Sequence, residues 1–221
     1  MPITLDTYIE YERRMQRERI FELIAAKYSI QSAVYPGSYL HIAPSLYIQE
    51  VVYIDTDKKA KKFFASVDYL KYINKNKVYD NEAQMEFYGQ DYSKIIPKYE
   101  EYFDLMISQY AGPISQECKP YLKESGILLV NNSHGDAQLA YADPDYSFIG
   151  IVNYRNKKFR FSEKDLEKYF IPKKDSISLV LSDLKTRNKG IGFTKSASHY
   201  LFKRGWVLTE QLHRKKFDRK I

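Results

Sequence analysis

Two short clusters carry most of the chemistry legible in this chain. Tyr35-Pro36-Gly37-Ser38 closes one apolar run, and Asp55-Thr56-Asp57 closes the next, Val51 to Ile54. A strand, a small-residue turn, a crossover and a strand tipped with a carboxylate is how an open α/β sheet holds an adenosine-type ligand. The turn lets backbone approach the ligand, and the acid accepts the ribose hydroxyls. Gly37 is the only glycine of the first loop. Plainer roles stand beside this one: a turn for Gly37, and a cap on the following helix for Asp55 and Asp57.

Further along lie three more polar groups at the ends of apolar runs: Asp91-Tyr92, Ser108-Gln109-Tyr110, and Asn131-Asn132-Ser133-His134-Gly135-Asp136. Asp91 suits a ligand contact or a helix N-cap. His134 titrates near neutrality when unperturbed and has Asp136 close in sequence, so it is a candidate general base. Ser133, His134 and Asp136 do not read as a hydrolase triad, because residues adjacent in sequence rarely reach that geometry and no Gly-x-Ser-x-Gly elbow occurs. The four histidines are scattered without ligand spacing, so no metal site is expected, and no phosphate-binding Gly-x-x-x-x-Gly-Lys-Ser/Thr loop is found.

The elements that must position these residues follow from periodicity. Residues 5–29 form one amphipathic helical pattern, with Ile9, Met15, Ile20, Phe21, Leu23 and Ile24 on the apolar side and Glu10, Glu12, Arg13 and Arg17 on the other. Strands are expected near 31–36, 50–55, 84–88, 102–107 and 127–130. Helices are expected near 57–75, 93–100 and 113–121, and a hairpin over 148–161 around Arg155-Asn156-Lys157. Strands alternating with helices give an α/β, Rossmann-like fold: a mostly parallel sheet flanked by helices, with an antiparallel hairpin at its edge. Ligands on such a sheet sit at the carboxyl ends of the strands, where strand order reverses.

Taken in order, the strand ends resemble the class I S-adenosylmethionine-dependent methyltransferase layout over roughly residues 30–161. Asp104-Leu105-Met106-Ile107-Ser108 stands for its fourth strand. Leu122-Lys123-Glu124-Ser125-Gly126 stands for the turn that introduces its fifth. The resemblance implies S-adenosyl-L-methionine as cofactor. Tyr35, Pro36, Gly37 and Ser38 would border the methionine moiety, Asp55 with Thr56 the ribose, and Asp91 with Tyr92 the adenine. Ser108, Gln109 and Tyr110 would line the acceptor mouth, with His134 on the substrate side. The chain departs from the family at Tyr39 and His41, where small residues are usual. It also lacks the Asn/Asp-Pro-Pro-aromatic box of base-amino methylation.

Composition sets the outer bounds. The 221 residues suit one moderate domain with appendages: a helix over 1–30, the Rossmann-like domain over 31–161 and an extension over 162–221. A single cysteine, Cys118, excludes an internal disulfide. With neither a signal-like start nor an apolar spanning run, the chain reads as cytoplasmic, without a membrane. Residues 151–221 carry 19 Lys/Arg against 7 Asp/Glu, whereas residues 1–150 carry 16 against 21. That asymmetry suggests a polyanionic partner. Arg155, Lys157, Lys158, Arg160, Lys185, Arg187, Lys189 and Lys195, interleaved with aromatics, are the candidate nucleic-acid contacts. Tyrosine reaches 21 residues, which suits both packing at half-buried positions and stacking of bases.

Overall fold

Strand order decides where a ligand can sit. A computed structural model describes residues 4–15, 18–174, 179–186 and 191–205. Its eight strands are β1 (Ser32–Pro36), β2 (Glu50–Ile54), β3 (Gln84–Tyr88), β4 (Phe103–Ser108), β5 (Leu122–Val130), β6 (Tyr146–Arg155), β7 (Lys158–Ser162) and β8 (His199–Arg204). They form one sheet in the order β3-β2-β1-β4-β5-β8-β6-β7. The first five run parallel to one another, and β8 runs antiparallel between β5 and β6. The β6–β7 hairpin forms the edge. Its turn residues Asn156 and Lys157 both have positive φ, 52° and 59°, as a two-residue type I′ turn requires.

The central strands are apolar on both faces because helices cover both. On one side Tyr35, Val51, Tyr53, Leu105 and Leu129 pack with α1 (Leu5–Met15), α2 (Glu18–Tyr28), α3 (Lys58–Phe64) and α4 (Asp68–Asn76). On the other, Val34, Val52, Met106, Leu128 and Val130 pack with α5 (Ile114–Glu117), α6 (Asp136–Ala142) and α7 (Leu181–Thr186). Burial of neighbouring residues against opposite layers follows from the two-residue period of a strand.

Several expected elements differ in extent. The pattern over 5–29 is two helices, and Glu12, expected on the solvent side, is buried. The helix expected over 57–75 breaks into α3 and α4 around Val67, which is exposed. Helical patterns at 93–100 and 113–121 shrink to single turns. The supposed turn Leu122–Gly126 is already strand. Phe103 pairs with Leu122 and Leu105 with Ile127, so the intervening residues bulge out, with Ser125 at φ 65°. Residues 162–221, expected as an extension, supply β8 to the interior of the sheet.

Candidate functional site

The sheet reverses order between β1 and β4, and their exits diverge. After β1 the chain turns toward the α1–α4 layer through Leu40, Ile42 and Leu46. After β4 it turns toward the opposite layer through Ile114 and Cys118. On such a sheet a ligand crevice is expected between the loops 36–41 and 109–113.

Asp55, directly after β2, ties the loop after β1 to its own loop. One carboxylate oxygen accepts the Tyr39 N–H at 2.7 Å, and the other accepts the Asp57 N–H at 2.7 Å. An ionised carboxylate has about four lone-pair positions, so Asp55 retains acceptor capacity toward the crevice. Asp57, by contrast, is the N-cap of α3, accepting from Lys59 N–H at 2.6 Å and Ala60 N–H at 3.1 Å. Thr56 is exposed beside it.

Gly37 has φ +66° and donates its N–H to the Ile54 carbonyl at 2.8 Å. Its open side faces the loop after β4: a Cβ there would stand 2.0 Å from Ala111 Cβ. Tyr92 closes over the same place by donating its hydroxyl to the Ala111 carbonyl at 3.0 Å. Ser38 is buried, and its hydroxyl has no hydrogen-bond partner among the described residues. Asp91 is exposed and accepts the Ser93 N–H at 2.9 Å, and the hydrogen bonds from Ser93 hold its carboxyl below the usual carboxylate range.

The four residues expected at the acceptor mouth do not converge. Ser108 and Gln109 point to opposite sides. Ser108 donates to Asp136 at 2.5 Å within the α5–α6 layer, whereas Gln109 joins Tyr35 and His199. Tyr110 projects outward at 58% exposure. His134 is exposed on the turn after β5, at φ 57°. Asn131 and Asn132 cap that turn by accepting from Ser133 N–H and Gln138 N–H.

Asp136 is instead a buried anchor. It accepts from the Ser108 hydroxyl, the Ser115 hydroxyl and the Ser115 N–H. Burial nevertheless pushes its carboxyl up to about 6, against those hydrogen bonds.

Sequence reasoning missed a buried polar chain. His41 Nε2 lies 2.9 Å from Glu12 of α1, and His41 Nδ1 lies 3.0 Å from the Tyr35 hydroxyl. Tyr35 donates to Gln109 Oε1 at 3.4 Å, and Gln109 Nε2 donates to His199 Nε2 at 3.3 Å. Four elements from both ends of the chain are joined in this way. The available signal was His41, which stands with Tyr39 where small residues are usual.

The basic candidates scatter. Arg155, Lys157, Lys158, Arg160 and Lys185 are exposed, and Lys195 lies over the Tyr169 ring at 4.3 Å. Arg187 and Lys189 fall outside the described residues. Arg160, between Phe159 and Phe161, alternates to the other face of the hairpin. Among the described residues, no helix is long and apolar enough to cross a membrane.

No family model matches the sequence, and no curated protein matches it. Solved structures do. A methyltransferase from Geobacter sulfurreducens is similar over 71% of this chain and 85% of its own, at 12% identity and a TM-score of 0.47. The O-methyltransferase TomG from Streptomyces achromogenes, solved in complex with SAM, is similar over 66% and 76%, at 12% identity and 0.46. The tRNA (m1A58) methyltransferase TrmI from Aquifex aeolicus is similar over 86% and 69%, at 13% identity and 0.44.

Proposed function

We propose that this chain is a divergent S-adenosylmethionine-dependent methyltransferase whose acceptor is a nucleic-acid component. The observation that carries the cofactor half is Asp55, a carboxylate at the rim of the switch-point crevice, fixed by backbone from two loops and still able to accept ribose hydroxyls. Topology favours one nucleoside over two. Dinucleotide sites use two parallel mononucleotide halves, and here the antiparallel β8 interrupts the second half between β5 and β6.

The residues present fit the adenosine end best. Asp55 would hold the ribose, Asp91 and Tyr92 would flank the base, and the orphaned Ser38 hydroxyl would gain a polar partner. The group would supply an activated methyl. The chain's own residues have to position the acceptor and exclude water, which needs few catalytic side chains.

One observation favours a second reading, a protein that kept the fold and lost turnover. The crevice above Gly37 is closed by Ala111 and by the Tyr92–Ala111 hydrogen bond. Calorimetric titration with S-adenosylmethionine and with its demethylated product tests both readings. Heat from both ligands, abolished by Asp55→Ala, supports a cofactor site, and labelled methyl appearing in nucleic acid then distinguishes enzyme from relic. A folded chain giving no heat with either ligand overturns the cofactor reading.

A further inference from the structure

Away from the crevice, α1 and α2 stand over the β6–β7 hairpin and leave a groove. Two adjoining cavities form it, about 510 Å³ and 570 Å³, sharing Arg19, Lys157 and Phe159. Both volumes suit a small-molecule site. Tyr8, Tyr72, Tyr154 and Phe159 wall the first.

Charge in the groove is sorted by depth. Glu12, 8% exposed, sits on the inner wall with His41 behind it. Arg13, Arg19, Lys157 and Lys158 lie exposed at the outside. Lys27 is engaged by Glu163 at 3.1 Å and by the Phe161 ring at 4.1 Å. Among the described residues, no acid pairs with Arg13, Lys157 or Lys158, and Arg19 meets exposed Glu22 at 3.7 Å.

A ligand matching this pattern has a planar ring with an N–H donor at its inner end and an anion at its outer end. Tyrosine faces stack any base. A carboxylate accepts from an exocyclic amine, as it does in reading cytosine. Arginine suits phosphate through its fork of donors. We propose that this groove binds a nucleotide carrying an exocyclic amine, base inward at Glu12 and phosphate outward at Arg13, Arg19 and Lys157. As a nucleotide site it goes beyond the reading above and stands apart from it. The buried chain from Glu12 through His41 and Tyr35 to Gln109 links the groove's inner wall to the loop after β4.

The test is calorimetric titration of the full chain with cytidine 5′-monophosphate. Binding should weaken about tenfold when uridine 5′-monophosphate or cytidine replaces it. Arg13→Gln and Lys157→Gly should each weaken the monophosphate about tenfold and leave cytidine unchanged. Glycine suits position 157 because its φ of 59° is one that glycine adopts freely. Asp55→Ala should leave nucleotide binding intact, and an unmodified chain that binds the nucleotide but gives no heat with S-adenosylmethionine sinks the methyltransferase reading alone. Equal affinity for cytidine and uridine monophosphates, displacement by equimolar inorganic phosphate, or unchanged affinity in both charge variants would overturn the proposal.

Discussion

Gly37 and Ala111 meet across the switch point so closely that a Cβ on the glycine would stand 2.0 Å from the alanine Cβ. Strand order reverses between the strands that carry them, so this contact sets how far the crevice is open.

Substituting Gly37→Ala should therefore be severe, for two separable reasons. A left-handed φ costs a non-glycine residue about 1–2 kcal/mol, and overpacking adds about 1–3 kcal/mol. Urea unfolding should show the sum. Adding Ala111→Gly should restore the steric part and leave the backbone part. A double variant no more stable than additivity allows would mean that the contact is not what confines position 37.

The next relationship is the Asp55 bridge. In Asp55→Ala the N–H groups of Tyr39 and Asp57 lose their acceptor, a loss of about 1–3 kcal/mol for bonds to a charged group. A lowered melting temperature should accompany the loss of adenosine-compound binding. Asp55→Asn keeps one acceptor and should fall between wild type and alanine on both readouts. A variant that binds normally while melting early would make Asp55 a structural tie alone.

How much of this could be read in advance depended on distance along the chain. The tip of β2 was legible because an acid directly after Val51–Ile54 is a local pattern, and β3 was legible over its full Gln84–Tyr88 span. The β6–β7 turn was legible from Asn156-Lys157 between alternating residues. Glu12 was not: a charged residue on an amphipathic helix normally faces water, and its partner His41 lies 29 positions away. Strand β8 was hidden for a similar reason. His199–Arg204 is short and sits in a basic background, and its partners in β5 and β6 lie far upstream. At the fourth loop the alternation of Ser108 and Gln109 was legible in principle, but their destinations, Asp136 and His199, were not.

Tyr35→Phe tests the buried polar chain. The change removes one oxygen and with it one contact each of His41 Nδ1 and Gln109 Oε1, at an expected loss of about 1–3 kcal/mol. Because Tyr35 and Gln109 share one network, combining the change with Gln109→Leu should cost less than the two single losses together. Strict additivity in urea unfolding would show that the 3.4 Å contact between them carries no coupling.

Asp136 gives the fold a pH dependence opposite in sign to that of a salt-bridged carboxylate. Burial between β4, α5 and α6 pushes its folded-state pKa up to about 6, from an ordinary value of 3.8. Between those values the folded state binds more protons than the unfolded state, so stability falls as pH rises. The contribution is fully present below about pH 4 and lost above about pH 6, with an upper size of about 3 kcal/mol. Its physical origin is desolvation of the charged form, which outweighs the bonds donated by Ser108 and Ser115. Asp136→Asn removes the titration and keeps an acceptor for one serine, so its unfolding free energy should be flatter across this window than that of the wild type. Urea unfolding at pH 4, 5, 6 and 7 measures the slope in both proteins. A wild-type slope of the opposite sign that persists unchanged in the variant would show that Asp136 is ionised throughout and that the serine bonds, not burial, set its state.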